Sequence, residues 1–160
     1  MLTKKQQTWL VSAIVLLALL VDQVSKVYVK THFELGEARE VFSWFWIAFV
    51  ENNGMAFGIE WFSKLLLTLF RIVAVGVIGW YIHLMIHKQQ VRIGYLTTMA
   101  MVMAGALGNI IDCVFYGKLW GYAGWFHGRV VDMLYFPLIR NAAGECVFFR
   151  PVFNIADSFI

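Results

Sequence analysis

Two aspartates are set where carboxylates are costly. Asp132 lies in Gly128-Arg129-Val130-Val131-Asp132-Met133, and Asp157 in Phe153-Asn154-Ile155-Ala156-Asp157-Ser158. In such apolar or small-residue surroundings ionisation is unfavourable unless a partner or a chemical task holds the group there. If the two carboxyls meet in space, like-charge repulsion makes them share one proton. One is then an acid and the other a base at the same pH, a pair that can activate water against a carbonyl.

The elements that must position this pair belong to a membrane protein. The chain is 61% hydrophobic and only 14% charged, with a mean hydropathy of +0.70, against about 25% charged residues in soluble domains. Its 160 residues allow one membrane-embedded domain of a few helices. The net charge of +3 reads as topology rather than nucleic-acid binding, because no basic cluster is interleaved with exposed aromatics. Cys113 and Cys146 would pair only if both face an oxidising compartment, and a reduced, buried pair is an equal reading.

Three apolar runs predict membrane spans over 8–29, 62–86 and 93–111, and a fourth is expected to begin near 153. No small-residue cleavage site follows the first run, so it stays as a span rather than a secretory signal. Between 32 and 60 an aromatic and β-branched pattern, closed by Asn52-Asn53-Gly54, predicts strands and a tight turn outside the hydrocarbon. Residues 113–152 predict a second outer loop whose glycine-spaced aromatics could lie on headgroups and move. Lys4, Lys5 and the basic link 87–92 place the N-terminus and that link on the cytoplasmic side.

Polar residues inside the spans mark what these helices hold. Asp22 and Lys26, four apart, share a face, either as an ion pair packing the bundle or as the floor of a polar site. Lys64, Thr68 and Arg71 form a stripe on the second span, in which Arg71 is expected to neutralise Asp22 or Asp112. Ala100, Ala104 and Gly108 repeat every four residues, the pattern of closely packed membrane helices. Asn109 and Asp112, three apart, face together at the outer end.

Five blocks then follow in order: Asp22-Gln23-x-Ser25-Lys26; Asn52-x-Gly54-x-Ala56-Phe57-Gly58; Gly105-Ala106-Leu107-Gly108-Asn109-x-x-Asp112; Gly128-x-Val130-Val131-Asp132; and Phe153-Asn154-x-Ala156-Asp157-Ser158. Together they resemble the bacterial lipoprotein signal peptidases, signal peptidase II. The resemblance implies a four-helix transmembrane bundle with a small β-rich cradle and an interfacial loop outside, in the bacterial cytoplasmic (inner) membrane. It implies an aspartic endopeptidase with its site near the outer leaflet, cutting diacylglyceryl-modified prolipoproteins before the modified cysteine. Asp132 and Asp157 match the family's catalytic pair. Asp22, Lys26, Asn52, Gly54, Gly108, Asn109, Asp112, Asn154 and Ala156 match positions that bind substrate or shape the site.

No metal or organic cofactor is expected. The partners expected are those precursors and membrane lipids, with no nucleic acid, and the protein is expected to be a monomer. Three departures stand out. Cys113 replaces the arginine that usually follows the third block's Asp, so that charge is missing or supplied from elsewhere; the segment 113–129 is longer than usual; and the sequence stops at Ile160, where the fourth helix should begin. The expectation is a truncated sequence that needs roughly 20 further apolar residues for full activity.

Two rival readings were open. A proton-coupled carrier would use Asp22, Asp112, Asp132 and Asp157 as a relay through the bilayer depth. A serine protease would use Ser25 with Lys26, or Ser63 with Lys64, but adjacent helical residues do not face each other.

Overall fold

The computed structural model describes residues 2–53, 64–88, 91–140, 146–148 and 151–160. Helix α1 runs Lys4–His32. It starts on a capping box, in which Thr3 Oγ1 accepts from the Gln6 backbone N–H and Gln6 Oε1 accepts from that of Thr3. It ends where Phe33 turns extended and its N–H bonds the Val29 carbonyl. At 29 residues it is about 43 Å long, longer than a hydrocarbon core of about 30 Å. Its buried residues, Gln7, Val11, Val15, Asp22, Lys26 and Val29, recur at helical spacing and make one stripe.

Helix α2 spans Lys64–Lys88 and α3 spans Ile93–Ile111. All three helices are long and apolar enough to cross a membrane. The small residues of α3 are packed closely: Ala100 and Ala104 are 0% and 2% exposed, in one core with Val11, Val15, Ile82, Met85 and Ile86. Leu16, Leu17 and Leu20 of α1 and Phe70, Val73 and Trp80 of α2 lie outside that core and are exposed, as lipid-facing side chains are.

Outside the bundle, β1 (Ala38–Phe42) and β2 (Phe45–Asn52) form a hairpin that turns at Ser43 and Trp44. With β3 (Val130–Tyr135) and β6 (Val152–Phe153) they make an antiparallel sheet in the order β1-β2-β3-β6. Strands β4 (Ile139–Arg140) and β5 (Cys146–Phe148) pair separately. The sheet sits on the C-terminal end of α1 through a second core of Val29, Phe33, Phe49, Tyr116, Val131 and Met133.

The hairpin turn lies at Ser43 and Trp44, and β2 runs on to Asn52, opposite Val130; the tight turn expected at Asn52-Asn53-Gly54 falls partly outside the described residues. Gly54 lies outside the described residues. The loop expected from Cys113 is helical instead, a π-helical turn over Asp112–Tyr116 followed by the short α4, Gly117–Leu119; Cys113-Val114-Phe115 is as apolar as the span before it, and no glycine intervenes before Gly117. The residues after α4 fold back onto the π-helical turn, with Phe126 N–H bonded to the Val114 carbonyl and Gly128 N–H to that of Cys113. Val152–Phe153 form β6, and the residues after it form one 3-10 turn, Asp157–Phe159.

Candidate active site

The site is built on a buried cluster of ions. Lys26 Nζ lies 2.9 Å from Asp22 Oδ2 and 2.8 Å from Asp112 Oδ2, and donates to Asn109 Oδ1 at 3.1 Å. Lys26 is 0% exposed, and removing either partner would strand a charge. Gln23 Nε2 donates to Asp112 Oδ1 and Asp22 Oδ2, and Tyr116 Oη donates to Gln23 Oε1. The ion pair expected of Asp22 and Lys26 is present, and through Asp112 and Asn109 it ties α1 to α3.

Carboxylate oxygens of this cluster also reach the two segments that carry the aspartates. Asp22 Oδ1 accepts from the Ala156 backbone N–H at 2.9 Å, and Asp112 Oδ2 from that of Val131 at 3.3 Å. Close approach of the last segment needs small residues on α3. A Cβ on Gly108 would stand 2.6 Å from Asp22 Oδ2 and 3.1 Å from the Ala156 Cβ, and one on Gly105 would meet the Ala156 carbonyl oxygen.

Above this floor two asparagines join the aspartates. Asn154 Nδ2 donates to Asp132 Oδ1 at 2.7 Å, and Asn154 Oδ1 accepts from the Asp157 N–H at 2.9 Å. Asn109 Nδ2 donates to Asp157 Oδ1 at 2.7 Å, while Asn109 Oδ1 accepts from Asn154 Nδ2. Asn52 Nδ2 completes the ring on Asp132 Oδ2 at 3.2 Å. The alternation of β3 explains the placement: Val131 and Met133 enter the second core, which leaves Asp132 on the other face.

The two carboxyls differ in surroundings. Asp132 is 3% exposed, whereas Asp157 is exposed. Burial pushes the Asp132 carboxyl up to about 6; the charge of Asp157 adds to the rise, and the amides of Asn154 and Asn52 oppose it.

Of the residues singled out in the sequence, Asp22, Lys26, Asn52, Gly108, Asn109, Asp112, Asp132, Asn154, Ala156 and Asp157 all belong to this connected network. Gly54 lies outside the described residues. Arg71 does not serve Asp22 or Asp112, whose cation is Lys26. Instead its Nη1 donates to Cys113 Sγ at 3.4 Å, so a guanidinium from α2 stands beside position 113. Cys113 and Cys146 do not pair with each other, and Cys146 Sγ donates to the Phe148 carbonyl at 2.9 Å. Gln23, which the first block contains but which was not named as a site residue, and Tyr116, whose one signal is a polar group in an apolar run, also join this network. Ser25 Oγ donates to the carbonyl of Asp22 in its own helix, away from the lysine beside it.

Residues 14–160 match the sequence profile of signal peptidase (SPase) II. The chain is 45% identical to the lipoprotein signal peptidase of Porphyromonas gingivalis, over 99% of this chain and 81% of that one. It is 36% identical to that of Amoebophilus asiaticus, over 98% and 74%. Among solved structures it resembles a bacterial membrane enzyme with a TM-score of 0.71 and 27% identity, covering 93% of this chain and 79% of that one. A second bacterial membrane enzyme gives 0.67 and 28%, covering 93% and 83%. The chain therefore belongs to the signal peptidase II family, the membrane proteases that process lipoproteins.

Proposed function

We propose that this protein is an aspartic endopeptidase in which Asp132 and Asp157 share one proton and cut lipoprotein precursors before the diacylglyceryl-modified cysteine. The observation that carries the reading is Asn154, whose side-chain amide donates to Asp132 Oδ1 and whose backbone N–H donates to Asp157 Oδ2, so that one residue orients both carboxyls. Burial favours the neutral form of Asp132, so the shared proton is assigned to Asp132.

In this mechanism Asp157 takes a proton from a water as its oxygen bonds to the scissile carbonyl carbon, and Asp132 gives its proton to the carbonyl oxygen. As the tetrahedral intermediate collapses, the C–N bond breaks and the leaving nitrogen takes the proton held by Asp157. The intermediate's hydroxyl proton returns to Asp132. The products are the signal peptide with a carboxyl end and the lipid-bearing cysteine with a free α-amino group. Asn52, Asn109 and Asn154 position the carboxyls, and Asp22, Lys26 and Asp112 hold the segments that bear them.

The site sits at the outer end of the bundle in the inner membrane, where a signal helix in the bilayer would present its acylated cysteine. An apolar groove of about 600 Å³ between α1 and β3, lined by Leu20, Val24, Tyr28, Met133 and Ile155, suits the lipid chains. The carrier reading loses support, since Asp22 and Asp112 are held by Lys26 rather than chained into a relay.

Asp132→Asn and Asp157→Asn are each expected to abolish cleavage of a diacylglyceryl-modified precursor while remaining membrane-inserted. Substantial turnover by either purified variant would rule out the shared-proton pair.

A further inference from the structure

Between the start of α2 and the loop after α4 lies a cavity of about 330 Å³, lined by Asn53, Lys64, Tyr122, Ala123, His127 and Arg129. The asparagine ring of the active site makes no use of it. Its roof is fixed: Tyr122 and Ala123 N–H groups bond the Gly117 carbonyl, and the Arg129 N–H donates to Tyr122 Oη at 2.7 Å. His127 Nδ1 is tied to the Trp125 carbonyl at 2.8 Å.

Among the described residues the charge around it is unbalanced. Glu51 is shared between Lys30 and Arg129, the latter at 3.0 Å. Burial pushes the Glu51 carboxyl up, yet its bonds to those two cations hold it below the usual carboxylate range, so it is ionised and already engaged. Among the described residues Lys64 has no ion-pair partner. Lys30, Lys64 and Arg129 thus outnumber Glu51, even with the single negative charge of the aspartate pair added.

Position says what could use this surplus. Arg129 precedes Asp132 by three residues on the approach to and along β3, which is about 10 Å of extended chain, and Asn52 beside Asn53 donates to Asp132. The signal side of a substrate is an apolar segment that stays with the bilayer. The residues after the cysteine leave outward, and an extended chain starting at the cleaved bond spans this distance in about three residues.

We propose that this cavity binds acidic side chains of the substrate two to four residues beyond the cleaved bond, and that it favours precursors carrying Asp or Glu there. The proposal rests on the protease reading above and adds a substrate class to it.

The test uses the purified enzyme in phosphatidylcholine nanodiscs with synthetic diacylglyceryl lipopeptides. These are identical except for Asp, Ser or Lys at the second and third positions after the cysteine. The Asp peptide is expected to exceed the Lys peptide roughly three- to tenfold in kcat/KM at low salt, with the gap closing as salt is raised. Lys64→Arg keeps the order and Lys64→Glu inverts it; the peptide series and the salt series need no variant. Equal kcat/KM for the three peptides overturns the proposal, as does an order unchanged by Lys64→Glu. Peptides cleaved alike, with turnover that rises on adding phosphatidylglycerol in the wild type but not in Lys64→Glu, would make the cavity a headgroup site and also overturn it. Cleavage of none of them, by this chain or by one extended past Ile160 with about 20 apolar residues, would instead overturn the protease reading, and this proposal with it.

Discussion

The backbone N–H of Ala156 donates to Asp22 Oδ1 across 134 positions of sequence. The first helix thereby holds the segment that carries Asp157, one residue further on. Asp22→Ala would leave that N–H unsatisfied and Lys26 short of one carboxylate, a loss of about 3–5 kcal/mol for a broken buried pair. The expected outcome is a lower unfolding temperature together with turnover per folded molecule reduced at least tenfold. Asp22→Asn, which keeps an acceptor for Ala156, should retain more of the turnover than of the stability. Equal loss of turnover in the two variants would count against positioning through this bond.

Asp132 carries a stability cost that depends on pH. Its folded pKa of about 6 lies above the unfolded value of about 3.9. Folding therefore favours its protonated form: that contribution is fully present below the unfolded value and is lost as pH rises through about 6. Near pH 8 the ionised group costs about 2–3 kcal/mol, from roughly two pKa units. Asp132→Asn should thus raise the unfolding temperature in detergent at pH 8 and change it little at pH 4. In the wild type, kcat/KM should fall as pH rises above 6, because the singly protonated pair is depleted. A variant no more stable than wild type at pH 8 would contradict the burial argument.

Gly108 separates contact from conformation. Gly108→Ala puts a methyl 2.6 Å from Asp22 Oδ2, so either α1 or the Ala156 segment must shift, at about 1–3 kcal/mol. Turnover should fall with it, since the same segment positions Asp157. Gly76 on α2 has nothing within 4 Å of a built Cβ. Gly76→Ala should be neutral or slightly stabilising, through helix propensity alone. Thermal unfolding and precursor cleavage on both variants read the difference, and equal effects would remove the packing explanation.

Hydropathy, length and spacing sufficed for the helices and for which residues share a face. The third span was legible as 93–111, where α3 lies, and the face shared by Asp22 and Lys26 carries their ion pair. These features are local, because a helix repeats every 3.6 residues and its apolar stripe is written directly in the chain. The continuation of α3 past Asp112 was less legible, since Trp, Tyr and Phe near a membrane boundary suit a helix end as well as a loop.

What meets across the fold was decided by tertiary structure. Asp112 and Asn109 were visible as neighbours on one face, but not that Asp112 would bind Lys26 and the backbone of Val131 while Asn109 turned to Asp157. Arg71 had the right charge to neutralise Asp22, yet it lies beside Cys113, because Lys26 on the same helix as Asp22 already occupies that carboxylate. Asn154 could be placed three residues before Asp157; its bond to Asp132 required β3 and β6 to pair in one register, Leu134 opposite Phe153. Periodicity states which side of an element is apolar or polar. Which polar groups become partners follows from burial, where each donor and acceptor withdrawn from water must find a match, and only the packed chain determines that match.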